Sequence, residues 1–212
     1  MAEIRRIAFI GSGAMGEAMI KGIVAQNVVQ AVQIMASDPV AARREQMKSQ
    51  FGVTTTDSNR SAVQEADVIV LSVKPQILPK VMTELHGQIP ESALVLSIVA
   101  GVPIATMQKG LKHDRIVRTM PNTPAQVGKG MTVWAPTSAV TAEQRRQTQA
   151  ILNALGEQLM VDDEHYLDMA TGLSAYGAIA TALFARHSSG RLPWTLKLIS
   201  TASAFSVALL TK

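Results

Sequence analysis

The sequence predicts a doubly wound, mostly parallel α/β sheet followed by a shortened helical tail. A four-residue apolar run, Ile7 to Ile10, stops at Gly11-Ser12-Gly13-Ala14-Met15-Gly16 and passes into a segment with apolar residues at 15, 19, 20 and 23, the spacing of one helix face. Short apolar runs then alternate with helical segments up to about residue 160. That alternation belongs to parallel sheets with helices on both faces. From Glu164 onward no run of strand character returns.

Each element follows from local chemistry. Val32 to Ala36 is a second strand, ending at Ser37-Asp38-Pro39. Proline suits a helix start, and Ala41 to Gln50 reads as the helix. Val53 to Thr55 is a short third strand. Val68 to Val73 is a fourth, almost wholly apolar, as strands buried on both faces are. Leu94 to Ala100, Ile116 to Met120 and Met131 to Trp134 complete a set of seven. Thr141, followed three residues later by Gln144, approximates a capping box at a helix start, and Gly156 is read as that helix's end. The expected division is an α/β sheet domain over 1–162 and a shortened helical tail over 163–212.

Composition narrows the function classes. There are no cysteines, so disulfides, thiolate metal sites and cysteine nucleophiles are excluded. The four histidines, His86, His113, His165 and His187, are far apart in sequence and suggest no metal site. His165 beside Asp162, Asp163 and Glu164 reads as a solvated helix start. Aromatic residues are only 4%, which counts against base-stacking nucleic-acid modules. The net charge of +4 comes from scattered pairs such as Arg5-Arg6, Arg43-Arg44 and Arg145-Arg146, a solvated surface rather than a nucleic-acid patch. The apolar stretch behind Arg5-Arg6 is too short for a signal peptide. Leu198 to Leu210 is too short for a membrane span, which needs about 20 residues. The expectation is a cytoplasmic protein without nucleic-acid or membrane partners.

The chemistry-bearing motif is Gly11-x-Gly13-x-x-Gly16, set between strand and helix, the context in which such a motif binds a dinucleotide. Gly11 permits the turn, Gly13 lets a pyrophosphate approach the backbone, and Gly16 lets helix and strand pack closely. The helix N-terminus then offers free N–H groups and a positive dipole to the phosphates. Asp38 lies about 20 residues further on, where an acidic group accepts from the adenosine ribose. It could equally cap the following helix, while Arg43 and Arg44 could reach a 2′-phosphate. Ser72-Val73-Lys74-Pro75, Ser97 to Gly101 and Met120-Pro121-Asn122-Thr123-Pro124 end the fourth, fifth and sixth strands, at the sheet edge where open α/β sheets bind ligands.

Together these stretches resemble the pyrroline-5-carboxylate reductases. Phe9 to Gly16, Ser72-Val73-Lys74-Pro75-Gln76, Ser97 to Gly101, Arg118 to Pro124 and Asp168 to Ser174 carry the resemblance, which spans residues 4 to about 174. It implies a Rossmann-type domain, NADH or NADPH as hydride donor, an imino-acid substrate and reduction of 1-pyrroline-5-carboxylate to L-proline. It also implies a phosphate loop of Ile10, Gly11, Ser12, Gly13, Ala14 and Met15. Further cofactor positions are Asp38, Asn59, Val73, Lys74, Pro75 and Ala100. Thr123 and Ser174 are substrate-pocket candidates; no catalytic acid is assigned and no metal is expected. The resemblance stops after Ser174, where the family continues Gly-Ser-Gly-Pro-Ala-Tyr and this chain reads Ala175-Tyr176-Gly177-Ala178-Ile179-Ala180. The tail is therefore expected to replace the family's substrate and dimerisation domain and to impair activity. Its apolar residues, among them Ile179, Leu183, Trp194 and Phe205, would cover the sheet domain or pair two copies, and a homodimer is the expectation. The alternatives are a dinucleotide-binding protein without catalysis, and another imine reductase or a β-hydroxyacid dehydrogenase.

Overall fold

The computed structural model describes residues 4–122, 125 and 130–168. Strands and helices alternate as β1 (Ile7–Ile10), α1 (Ala14–Ala25), β2 (Ile34–Ser37), α2 (Ala41–Phe51), β3 (Thr54–Thr56), α3 (Asn59–Val63), β4 (Val68–Leu71), α4 (Leu78–Leu85), β5 (Leu94–Ser97) and α5 (Ile104–Leu111). They continue through β6 (Ile116–Pro121), β7 (Gly130–Pro136), α6 (Ala142–Asn153) and β8 (Gly156–Met160). One sheet holds all of these strands in the order β3-β2-β1-β4-β5-β6-β7-β8. The chain winds outward from β1 in both directions, so the order reverses between β1 and β4, and this is where such sheets bind ligands.

Residue alternation along each strand feeds two cores. Ile7 and Phe9 of β1 face Met19, Ile20 and Ile23 of α1 and Ile151 and Leu152 of α6. Ala8 and Ile10 join Leu78, Val81 and Leu85 of α4 and Met107 and Leu111 of α5 on the opposite face. With both faces covered, a strand must be apolar throughout, which is why β1, β4 and β5 stand out in the sequence.

The structure departs from the sequence reading at several places. β7 runs antiparallel to β6, with Met120 opposite Val133 and Pro121 opposite Thr132. Gly156 does not simply end the preceding helix. That helix stops at Asn153, and Gly156, at φ +131°, opens β8, a strand absent from the sequence reading. β8 pairs in parallel with β7, and Trp134 Nε1 donates to Gln158 Oε1 across the pair at 2.5 Å. β8 was hidden because it lies at the sheet edge and Gly-Glu-Gln-Leu-Met buries none of its residues fully. β5 ends at Ser97 rather than Ala100 because the Ser97 hydroxyl accepts the Val99 N–H and turns the chain. The Thr141–Gln144 capping box forms, each side chain accepting the other residue's amide. The described residues run only six past the expected boundary at 162, so the tail readings from Met169 onward, including Ile179 through Leu210, lie outside them.

Two ionisable groups anchor the edge of the sheet opposite the strand C-termini. Asp67, just before β4, accepts the amides of Arg5 and Arg6 and the Arg5 guanidinium. Burial pushes its carboxyl pKa up, but these donors outweigh that and hold it below the usual carboxylate value. His113 is buried, its Nε2 donating to the Ala93 carbonyl at 2.9 Å. Burial, the dominant influence, lowers its pKa. Below its unfolded value of about 6.5, the unfolded chain takes up a proton that the folded chain does not. Stability is therefore expected to fall as the pH drops from about 6.5 to the lowered folded value. His113→Gln, which keeps a donor, should flatten that slope in thermal unfolding followed between pH 5 and 7. An unchanged slope in the variant would assign the dependence to other groups.

Candidate functional site

Parallel register sets Ile10 beside Ser37 and Leu71, and Leu71 beside Ser97. The loops that leave β1, β2, β4 and β5 therefore share one edge, and the predicted phosphate loop lies at its centre. Ile10 is the buried last residue of β1, and its carbonyl accepts the Ser72 amide. Gly11 turns with φ +90°, donates its amide to the Ser37 carbonyl, and has Val73 Cγ1 2.8 Å from where a Cβ would stand. No larger residue fits that turn. Gly16 is equally closed, its would-be Cβ 2.9 Å from the Gly11 carbonyl oxygen. Ser72 Oγ locks the pair by donating to that same oxygen at 2.6 Å.

Gly13 is the opposite case. It is the exposed N-cap of α1, and a Cβ built there would meet nothing within 4 Å. Ala14 is also exposed and Met15 is half-buried. No side chain caps the helix, and the first amides of a helix have no acceptor within it. The first intrahelical bond here runs from the Glu17 amide to the Gly13 carbonyl. Open backbone beside uncommitted amides at a helix N-terminus is the arrangement that takes a diphosphate.

Ser12 is buried and held from two sides. Asp38 Oδ2 accepts its amide and its hydroxyl at 3.1 and 2.9 Å, and Arg43 Nε donates to its carbonyl at 2.5 Å. Asp38 Oδ1 accepts the Val40 amide in a turn just before α2; Val40 is the N-cap of that helix and no side chain caps it, so Asp38 holds the turn and is not the helix cap. Arg43 continues to Glu17 Oε2 at 2.6 Å and Gln46 Oε1 at 2.8 Å. Arg44 donates to the Asp38 and Pro39 carbonyls. Both guanidiniums are thus engaged by groups of the protein itself.

The remaining predicted residues are more loosely associated with the turn. Asn59 accepts the Ser37 hydroxyl at 2.8 Å and donates to Glu84 at 2.8 Å, so it is linked to the glycine turn through Ser37. Val73 packs behind Gly11; Lys74 and Pro75 are exposed on the β4–α4 loop, and Ala100 is half-buried beyond β5. Thr123 and Ser174 lie outside the described residues. Among the described residues no group of three or more His, Asp or Glu side chains could hold a metal ion, and no helix is long and apolar enough to cross a membrane.

One structural centre escaped the sequence reading. Arg118 of β6 is 3% exposed. Its guanidinium donates to Glu164 at 3.0 Å and Asp168 at 2.5 Å. Glu164 also accepts the Ile104 amide at the start of α5 at 3.0 Å. The acidic stretch read as a solvated helix start thus contributes the counter-ion of a buried arginine.

Comparison with known proteins agrees with this geometry. Residues 6–101 match the family model described as NADP oxidoreductase, coenzyme F420-dependent. A pyrroline-5-carboxylate reductase of Pseudomonas aeruginosa is 42% identical over 173 residues, which cover 81% of this chain and 63% of the relative. The chain thus spans less than two thirds of that relative's length. The solved pyrroline-5-carboxylate reductase of Coxiella burnetii superposes with a TM-score of 0.81 at 28% identity, over 99% of this chain and 78% of that one. The Plasmodium falciparum pyrroline carboxylate reductase, solved with NADP bound, superposes with a TM-score of 0.73 at 26% identity, covering all of this chain and 80% of that one.

Proposed function

Because the chain belongs to the pyrroline-5-carboxylate reductase family over the 81% that aligns, we propose that the full protein reduces 1-pyrroline-5-carboxylate to L-proline. The observation that carries the reading is Gly13: open backbone on a rigidly held turn, at the point where the strand order reverses. The diphosphate of NADH or NADPH would lie on Gly13 and the first amides of α1. Asp38, already oriented by Ser12, would meet the ribose. Val40, two residues past Asp38 and 57% exposed, would cover a flat ring. Lys74 would meet an anionic group.

NADH or NADPH, held by Gly13, the first amides of α1 and Asp38, would supply the hydride for the imine carbon. The C=N π pair then becomes the amine lone pair, which takes up one proton. The protein's contribution is orientation and exclusion of water. Thr123 and Ser174, carried over from the family resemblance, would line the substrate pocket. A homodimer, with residues 163–212 forming its contacts, completes the proposal.

The test is oxidation of NADH and NADPH by the 212-residue chain with pyrroline-5-carboxylate, run beside calorimetric titration of each dinucleotide. Turnover supports the reading. Binding without turnover leaves a dinucleotide-binding protein and removes the catalytic claim for this chain. Absence of binding removes both.

A further inference from the structure

We propose that Glu17 determines dinucleotide choice by holding Arg43, so that this site favours the cofactor without a 2′-phosphate. The inference rests on the dinucleotide reading above and adds a specificity residue that no motif marks.

A 2′-phosphate beside the end of β2 meets Asp38 first. That carboxylate is fixed in place, with both oxygens engaged by Ser12 and Val40. A site that accepts the phosphate must answer this charge with a cation, and a guanidinium does so best with two parallel N–H groups. Arg43 and Arg44 are the arginines at this position. Arg44 is turned onto the Asp38 and Pro39 carbonyls, with Asp57 3.9 Å from its other terminal nitrogen. Arg43 has each of its three nitrogens engaged: Nε on Ser12, Nη1 on Gln46 and Nη2 on Glu17. The Ser12 bond belongs to the turn and the Gln46 bond is to a neutral amide. Glu17 is therefore the group that competes with a phosphate for Arg43. The pair is only partly exposed, 22% for Arg43 and 26% for Glu17, so water screens it incompletely. Glu17 also adds its own negative charge in the first turn of α1.

Glu17→Gln removes the competing charge while leaving Arg43 anchored at Ser12. The change would tighten any anionic ligand at this helix end, so the diagnostic quantity is the ratio of the two affinities. The experiment is calorimetric titration of NADH and NADPH in phosphate-free buffer, with thermal unfolding of each protein as a control for folding. It uses the wild-type 212-residue chain, Glu17→Gln, and the double variant Glu17→Gln/Arg43→Gln. The wild type is expected to bind NADH about tenfold more tightly than NADPH. Glu17→Gln should bring the two within about threefold by tightening NADPH, the scale of one charge-assisted hydrogen bond. The double variant should return to the NADH preference, because the gain requires Arg43. Equal tightening of both ligands in Glu17→Gln, or a wild type that binds NADPH as well as NADH, overturns the inference while the dinucleotide reading stands. If the wild type binds neither, both fall together.

Discussion

Gly13→Val should lower affinity for NADH and NADPH at least about 100-fold while leaving the protein folded. The backbone at Gly13 has φ −62° and ψ −178°, an ordinary extended conformation that valine adopts without strain. Its Cβ would stand in open space, so the cost to stability is the loss of a tolerated N-cap, about 1 kcal/mol or less. The isopropyl group would instead occupy the place where a diphosphate must approach the α1 amides. Losing even two charge-assisted hydrogen bonds, each worth about 1.5–3 kcal/mol, suffices for the 100-fold effect. Gly11 and Gly16 would not give so clean a result, because their Cβ positions collide with Val73 and the Gly11 carbonyl and would disturb the turn itself. Calorimetry with a parallel melting curve decides the matter. A folded Gly13→Val protein that binds both dinucleotides like the wild type removes the diphosphate assignment.

The second large effect concerns the buried arginine. Replacing both of its partners, Glu164→Ala with Asp168→Ala, should cost about 3–5 kcal/mol of unfolding free energy, because it leaves a guanidinium buried without a counter-ion. Removing the arginine itself, Arg118→Met, should cost less. The carboxylates left behind, 29% and 53% exposed, would be rehydrated, and methionine fills much of the volume. Ordinary counting of contacts predicts the reverse, since Arg118 takes part in both ion pairs. Urea unfolding of the two variants distinguishes the accounts, and a greater loss in Arg118→Met would show that packing, not the stranded charge, dominates.

Much of the molecule was legible because burial on both faces writes itself into short apolar runs. Ile7 to Ile10 followed by the glycine turn gave β1, α1 and the centre of the site, and Thr141 with Gln144 marked the start of α6. The sense of β7 was not legible, since a short apolar run carries no direction. β8 was not legible because an edge strand can remain largely polar. The fixing of the site was hidden for a different reason. Asp38 reaches Ser12 across 26 positions, Arg43 reaches Glu17 across 26 and Ser72 reaches Gly11 across 61. Each is an unremarkable polar residue until the strand order brings its loop to the shared edge. Asp38 therefore offered two readings, ribose acceptor or helix cap, whereas in the structure it first holds the turn.

The ion network at Arg118 also bears on how the protein is made. Asp168 follows Arg118 by 50 positions, and a ribosome adds roughly 5–20 residues per second, so the arginine waits about 3–10 s for its second carboxylate. During that wait, docking β6 between β5 and β7 would desolvate an uncompensated cation. β6 is therefore expected to dock only after β1 to β5 have formed, once residues 164–168 have emerged from the ribosome. The same pair of carboxylates that neutralises Arg118 in the finished sheet would then also time the docking of β6 during synthesis.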